Sequence, residues 1–130
     1  MEVRSSPIEV RPRRLCRFDE LTPGAAHGFD PDGTGEDSVF VLRRGDAVRA
    51  YRNRCPHQNA RLEYRKDRFL SADGQHVVCY AHGAHFDPDT GACTLGACLG
   101  QSLQPVPCRV EHGWVWTVAA ARPYAVGEVD

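Results

Sequence analysis

The sequence of 130 residues contains no apolar run long enough to cross a membrane. Its longest apolar segments, such as 38–42, have the length of a strand, whereas a membrane-spanning helix needs about 20 apolar residues. The N-terminal segment also lacks the charged-then-apolar layout of a secretory signal, because Arg4, Arg11, Arg13 and Arg14 interrupt it. We therefore expect a cytoplasmic protein that makes no use of a membrane.

The chain has neither a strong net charge nor a helical pattern. Its 16 basic and 17 acidic residues give a net charge of −1, and its basic segments carry no stacking-aromatic motif, so nucleic-acid binding is not expected. No internal repeat and no long apolar period of a helix occurs. The length fits one domain, and 42% hydrophobic residues are enough for one core.

The residues that are present form short strand patterns separated by turns. Two pairs of strands predict hairpins, with turns at Gly45-Asp46 and at His112-Gly113. Residues 22–37, rich in Gly, Pro and Asp, predict a long loop, and 61–75 an irregular segment with one short helical turn. The predicted strands lie at 14–18, 38–43, 47–53, 76–78, 106–111 and 114–118.

These patterns predict an all-β fold of antiparallel strands in a single domain at residues 14–118. A flexible N-terminal arm at 1–13 precedes the domain, and a C-terminal tail at 119–130 follows it. The predicted hairpin ends just before Cys55, and the strand at 76–78 leads directly into Cys79. Both cysteines are therefore expected on loops at one end of the sheet structure.

Each of these cysteines begins a short motif with a histidine. The first motif is Cys55-Pro56-His57 and the second is Cys79-Tyr80-Ala81-His82. Two thiolates and two imidazoles suit a tetrahedral Cys2His2 zinc ion. They equally suit a [2Fe-2S] cluster with two thiolates on one iron and two imidazoles on the other. His85, three residues beyond His82, is a rival for the fourth ligand.

With their flanking residues, the two motifs resemble the Rieske family, whose signature is C-x-H followed at a distance by C-x-x-H. The resemblance includes Pro56, Gly83 and the pair Phe86-Asp87, and extends from about Leu15 to Val118. It implies a small antiparallel barrel or sandwich with a cluster-binding subdomain of two loops. It also implies a [2Fe-2S] cluster whose ligands are Cys55, His57, Cys79 and His82.

Four departures from the respiratory branch of this family concern its disulfide and its reduction potential. Ala60 and Ala81 occupy the positions of the cysteines that link the two cluster loops in that branch, so no such bridge is expected. Ala84 and Phe86 replace a Ser and a Tyr whose hydroxyl groups donate hydrogen bonds to cluster and ligand sulfurs. The resemblance therefore implies a low-potential member.

The other cysteines of the chain are Cys16, Cys93, Cys98 and Cys108. Six cysteines in a small protein are compatible with disulfides, but stable disulfides are rare in a reducing cytoplasm. We therefore expect these four to be buried thiols that pack as small apolar groups.

Charged residues are segregated along the chain. Segment 19–37 contains six acidic residues and no Lys or Arg, whereas segment 43–68 contains nine basic residues and three acidic ones. The basic segment is interpreted either as an ordinary solvated surface or as a docking face for an acidic partner. The basic residues of the docking interpretation are Arg54, Arg61, Arg65, Lys66 and Arg68.

The resemblance implies an electron carrier that passes one electron from an NAD(P)H-dependent flavin reductase to a terminal oxygenase. The chain has no room for a nucleotide-binding domain or for a second domain with a mononuclear iron, so we expect no catalysis of its own. One alternative is a small electron-transfer subunit of a larger oxidoreductase, similar to the small subunit of nitrite reductases. The other is a structural Cys2His2 zinc module.

Overall fold

The computed structural model describes residues 12–56, 60–63 and 65–117. The described chain contains nine strands, one short 3-10 helix at Phe18–Glu20, and no α-helix. The predicted tail lies outside the described residues, as does the predicted arm except for its last two residues, and Arg13 begins the first strand. The strands are β1 (Arg13–Arg17), β2 (Ala26–Phe29), β3 (Val39–Arg44), β4 (Ala47–Arg52), β5 (Val77–Cys79), β6 (Ala84–Phe86), β7 (Cys93–Leu95), β8 (Cys108–Glu111) and β9 (Trp114–Thr117).

The strands form three antiparallel sheets of three strands each. Their orders are β1-β9-β8, β2-β3-β4 and β5-β6-β7. The third sheet carries the second predicted ligand loop, because β5 ends at Cys79 and β6 begins at Ala84. On that prediction we call it the cluster-binding sheet. The prediction of an all-β antiparallel fold is confirmed. No helix in the described part of the chain is long and apolar enough to span a membrane.

The two predicted hairpins are present, and their turns use residues with positive φ. Strands β3 and β4 pair from Val39↔Arg52 to Arg44↔Ala47, with Gly45 at φ +64° in the turn. Between β8 and β9, His112 has φ +53° and Gly113 has φ +81°. Two consecutive residues with positive φ are typical of the tight turns that match the twist of a hairpin.

The prediction of one long loop at 22–37 is wrong, because this segment contains strand β2. Its residues pair with β3 from Ala26↔Leu42 to Phe29↔Val39. Gly28 allows this strand to pass close to Asp37, since a Cβ at Gly28 would lie 2.5 Å from an Asp37 carboxylate oxygen. A strand that depends on this close approach has no strong sequence pattern, because Gly normally weakens strand propensity.

Three further elements differ from the sequence prediction. Strands β6 and β7 are only three residues long and were not predicted as strands. The described residues of 61–75 contain no helical turn, and the one short helix lies instead at Phe18–Glu20. Strands this short are specified by pairing with their neighbours and not by their own sequence.

Two apolar clusters fill the interior. One lies among β1, β3, β4 and β9 and includes Cys16, Val41 and Val115. The other extends from β3 and β4 to the cluster-binding sheet and includes Phe40 and Phe69, which stack with ring centroids 4.4 Å apart. This second cluster also contains both ligand-candidate cysteines, so the two predicted ligand loops are anchored in the hydrophobic core.

Gly91 provides a test of packing beneath the cluster-binding sheet. Its φ is +81°, and an added Cβ would lie 2.8 Å from a Tyr51 ring carbon. We expect Gly91→Ala to lower the free energy of unfolding in two ways. Left-handed backbone strain costs about 1–2 kcal/mol, and overpacking against Tyr51 costs about 1–3 kcal/mol. Gly45→Ala is the matched control, because Gly45 has a similar φ of +64° and open space around its Cα. Urea unfolding should show the larger loss for Gly91→Ala, and equal losses would contradict the packing contribution.

Candidate metal centre

The first ligand loop follows β4 and is closed by backbone hydrogen bonding. The Cys55 N–H donates to the Ala60 carbonyl over 2.7 Å, which draws the ends of the loop together. Residues 57–59, including the predicted ligand His57, lie outside the described residues. The side chain of Cys55 is buried in the core.

The buried side chain of Asn53 forms hydrogen bonds with residues on both sides of this loop. Its importance was not identified from the sequence. Its amide nitrogen donates to the Asp37 carbonyl and to Glu63 Oε1, each over 2.8 Å. Its amide oxygen accepts the Leu62 N–H over 2.8 Å. The only signal in the sequence was a polar residue at the end of a strand, two positions before a cysteine.

The second ligand loop is a tight turn between β5 and β6. Cys79 and Ala84 face each other across the two strands, and the Gly83 N–H donates to the Cys79 carbonyl over 2.7 Å. Gly83 has φ +78°, a conformation that other residues adopt at a cost. The Tyr80 N–H donates to the Leu62 carbonyl over 3.0 Å, which joins this loop to the segment that follows the first.

The sulfur atoms of Cys55 and Cys79 lie together in the core. Both residues are buried in the same apolar cluster, and the Cys79 thiol interacts with the Cys55 side chain. Burial raises the pKa of the Cys79 thiol, and the backbone N–H groups of Ala81 and His82, which bond to its sulfur, oppose that rise. These N–H groups favour the thiolate, which is the form that binds a metal.

The two candidate histidines of the second loop have different surroundings. His82 lies exposed in the turn, whereas His85 is half-buried in β6, and its ring centroid lies 5.2 Å from that of His76. Because side chains alternate along a strand, His85 faces away from its buried neighbours Ala84 and Phe86. The structure thus places His82 on the turn that carries Cys79, and His85 beside His76.

The described residues contain no cluster of three or more His, Cys, Asp and Glu side chains arranged to hold a metal ion. The two cysteines are brought together, His82 stands outside the core, and His57 is not described. The donor set nevertheless fits a cluster better than a single compact ion. Two adjacent buried sulfurs suit an inner iron, and a solvent-facing imidazole suits an outer one.

A third loop, from Gly96 to Gln101, reaches the sulfur of Cys55 and was not expected near the site. It brings Cys98 into the core, where its Sγ lies 3.6 Å from the Cys55 Sγ. None of the six cysteines of the chain forms a disulfide in the structure. Cys98 is thus a buried thiol, as predicted, but it packs against a ligand candidate and not in a remote part of the core.

The acidic and basic segments of the sequence meet beside the first loop. Lys66 Nζ lies 2.8 Å from an Asp37 carboxylate oxygen and also donates to the Gly28 carbonyl over 3.0 Å. The hydrogen bond with Asp37 raises the pKa of Lys66 above its usual value. Arg61 forms a longer contact with Glu63, 3.9 Å between Nε and Oε1. Part of the basic surface is therefore neutralised within the molecule.

Comparison with known proteins gives consistent matches. The family model of the Rieske [2Fe-2S] domain matches residues 12–109. One similar structure is the ferredoxin of carbazole 1,9a-dioxygenase from Nocardioides aromaticivorans IC177, with 32% sequence identity and a TM-score of 0.65. The match covers 82% of this chain and 96% of that ferredoxin. A Sphingomonas yanoikuyae B1 ferredoxin is 25% identical over 85% of this chain and 100% of its own, also with a TM-score of 0.65.

A curated relative, the oxidoreductase NdmD of Pseudomonas putida, is 29% identical over 105 residues. The match covers 75% of this chain but only 17% of that protein. The family match identifies the cofactor as a [2Fe-2S] cluster and not the zinc ion of the alternative interpretation. The ferredoxin matches support the expectation of an electron carrier. With its matched residues, two-loop sheet and paired buried sulfurs, the chain belongs to the Rieske [2Fe-2S] family.

Proposed function

We propose that Cys55, His57, Cys79 and His82 bind the cluster, with the cysteines on the inner iron and the histidines on the outer one. The observation that carries this assignment is the adjacent pair of buried sulfurs, one of which accepts two backbone N–H groups. When bound, the cluster supplies reversible one-electron chemistry. The protein positions the sulfurs, excludes water from them, and leaves the His82 edge near the surface as the exit for the electron.

In this proposal the chain receives an electron from an NAD(P)H-dependent flavin reductase and delivers it to a terminal oxygenase in the cytoplasm. The similar protein from Nocardioides is the ferredoxin of a dioxygenase, and the chain spans 96% of its length. A ferredoxin of this kind needs no substrate pocket. Its function depends on the cluster and on the surface around it.

A second candidate is the electron-transfer part of a larger oxidoreductase. The match to NdmD favours it, because the matched region is only 17% of that protein. The chain would then pass electrons within one polypeptide or complex. Purification of the native protein separates the two candidates, since a carrier is isolated alone and a subunit or domain is isolated with its larger partner.

The ligand assignment predicts different results at the two neighbouring histidines. His82→Ala should abolish or severely disturb the cluster, and Cys79→Ser should do the same, because each removes a bond to iron. His85→Ala is the matched control and should retain a full complement of iron and acid-labile sulfide. Metal and sulfide analysis with the visible spectrum measures the outcome. Loss of the cluster in His85→Ala with its retention in His82→Ala would reverse the assignment.

The surface around the cluster end has an apolar component that the sequence did not reveal. Three of the four large apolar side chains that are exposed in the described residues lie there: Tyr80 at 41%, Leu95 at 55% and Leu99 at 62%. Tyr80 lies between two proposed ligands, Leu95 pairs with β6, and Leu99 follows Cys98. Apolar side chains grouped on a surface are typical of a protein interface.

The basic component of this surface is smaller than the sequence suggested. Lys66 is held by Asp37, whereas Arg54 and Arg61 are exposed close in sequence to Cys55 and to the loop closure at Ala60. We infer that the oxygenase docks on the exposed side chains of Tyr80, Leu95 and Leu99. The two exposed arginines increase the rate at which it associates. Charges at the rim of an interface act mainly on the association rate.

This arrangement predicts that electron transfer to the cognate oxygenase slows as salt is added, since the Debye length falls from ~10 Å at 0.1 M to ~3 Å at 1 M. Arg61→Glu should slow bimolecular transfer several-fold at low salt and leave the visible spectrum unchanged. Arg109→Glu is the control, because Arg109 contacts Glu111 on β8 as Arg61 contacts Glu63. Stopped-flow oxidation of the reduced protein measures both. Equal rates for the two variants would identify the basic residues as ordinary solvated surface.

The reduction potential is predicted to lie near the low end of the Rieske range, on the order of −150 mV. Ala84 and Phe86 are buried in the same core cluster as both cysteines and carry no donor group. Phe86→Tyr should raise the potential by about 60–130 mV if its hydroxyl donates one hydrogen bond to a ligand sulfur, a bond worth roughly 1.5–3 kcal/mol. Phe18→Tyr, at the other core cluster, should leave it unchanged. Voltammetry is the measurement, and a wild-type value above about +100 mV, in the upper half of the range, would contradict the argument.

A further inference from the structure

Cys98 is a buried cysteine that the proposed ligand set does not use. It lies in the third loop and is fully buried, with 0% of its surface exposed. Two turn hydrogen bonds shape this loop, from the Leu99 N–H to the Gly96 carbonyl over 3.3 Å and from the Gln101 N–H to the Cys98 carbonyl over 2.8 Å. The Cys93 N–H donates to the Gln101 carbonyl over 2.9 Å and ties the loop to β7. Cys98 is therefore held in place by the fold.

The contact that it makes is with a ligand sulfur. Its Sγ lies 3.6 Å from the Cys55 Sγ, a distance at which either thiol can donate a hydrogen bond to the other. The separation is far longer than a disulfide bond of ~2.05 Å, so the two sulfurs are in contact without being bonded.

Binding of the cluster fixes the direction of this hydrogen bond. A cysteine that ligates iron is a thiolate and has no proton to donate. Cys55 then acts only as an acceptor, and Cys98, as a neutral thiol, is the donor. Hydrogen bonds to charged acceptors are stronger than those between neutral groups, and the acceptor sulfur gains negative charge when the cluster is reduced.

We propose that the Cys98 thiol donates a hydrogen bond to the ligand sulfur of Cys55 and stabilises the reduced cluster. The proposal rests on the ligand assignment given above. Cys98 is a positioning residue that acts on the potential through Cys55, and it occupies a place in the core where Ala84 and Phe86 offer no donor. A thiol is a weak donor, so its effect should be smaller than that of a hydroxyl group.

The test replaces Cys98 with residues that remove or keep the donor. Cys98→Ala and Cys98→Val should each shift the redox equilibrium constant about tenfold toward the oxidised form, which for one electron is a fall of ~59 mV. Valine fills the space that alanine leaves, so agreement between the two variants separates the lost donor from a cavity. Cys98→Ser keeps a donor group and should lie closer to wild type than either variant.

Cys16→Ala is the matched control, because Cys16 is also a buried thiol but lies in the other core cluster. Its potential should equal that of wild type. Voltammetry at one pH and ionic strength gives the potentials, and iron and sulfide analysis shows that each variant is loaded.

Unchanged potentials in loaded Cys98→Ala and Cys98→Val would overturn the inference while leaving the cluster in place. A serine variant indistinguishable from alanine would also count against a hydrogen bond. If Cys98→Ala does not retain the cluster, the valine and serine variants decide the question. Absence of acid-labile sulfide from the wild-type protein would instead overturn the proposed function.

Discussion

The geometry of the first proposed ligand loop depends on the buried amide of Asn53. Its three side-chain hydrogen bonds join the end of β4 to Asp37, Leu62 and Glu63, which come from segments on both sides of the first ligand loop. A buried amide that lost these partners would carry unsatisfied donors and acceptors, each costing roughly 1–3 kcal/mol. The hydrogen bonds that the Asn53 side chain needs thus fix where the first loop begins. They also fix the position of Leu62 and Glu63, which follow that loop.

The same requirement explains why the acidic segment lies against the basic one. Asp37 provides its carbonyl group to Asn53 and its carboxylate to Lys66, while Lys66 also bonds to the Gly28 carbonyl. Gly28 is in β2, and its N–H donates to Asp67 over 2.7 Å. Charges that stand far apart in the sequence are therefore partners in the fold. Lys66 is thus held within the molecule, whereas Arg54 and Arg61 are exposed near the first loop.

The core beneath the loops is rich in sulfur, and this has consequences for the cofactor. Cys55, Cys79 and Cys98 are all fully or almost fully buried beside aromatic rings of the main core. Buried sulfurs are shielded from water, so electrostatic interactions and hydrogen bonds at the cluster act more strongly than at the surface. In the proposed assignment the same residues serve packing and redox properties, and changes in this core are expected to affect both.

The sequence by itself determined the class of fold, the two strong hairpins and the ligand candidates. Strands β3, β4 and β9 have continuous or alternating apolar patterns, and the paired Cys and His motifs have a spacing that few other sites share. It did not predict β2, β6 or β7, because a Gly-containing strand and two three-residue strands are stabilised by pairing and not by their own residues. Nor did it predict the contact between Cys98 and Cys55, the hydrogen bonds of Asn53 beside the first loop, or the ion pair of Lys66 with Asp37. Those contacts join residues at least nine positions apart in the chain, and only the tertiary structure brings such residues together.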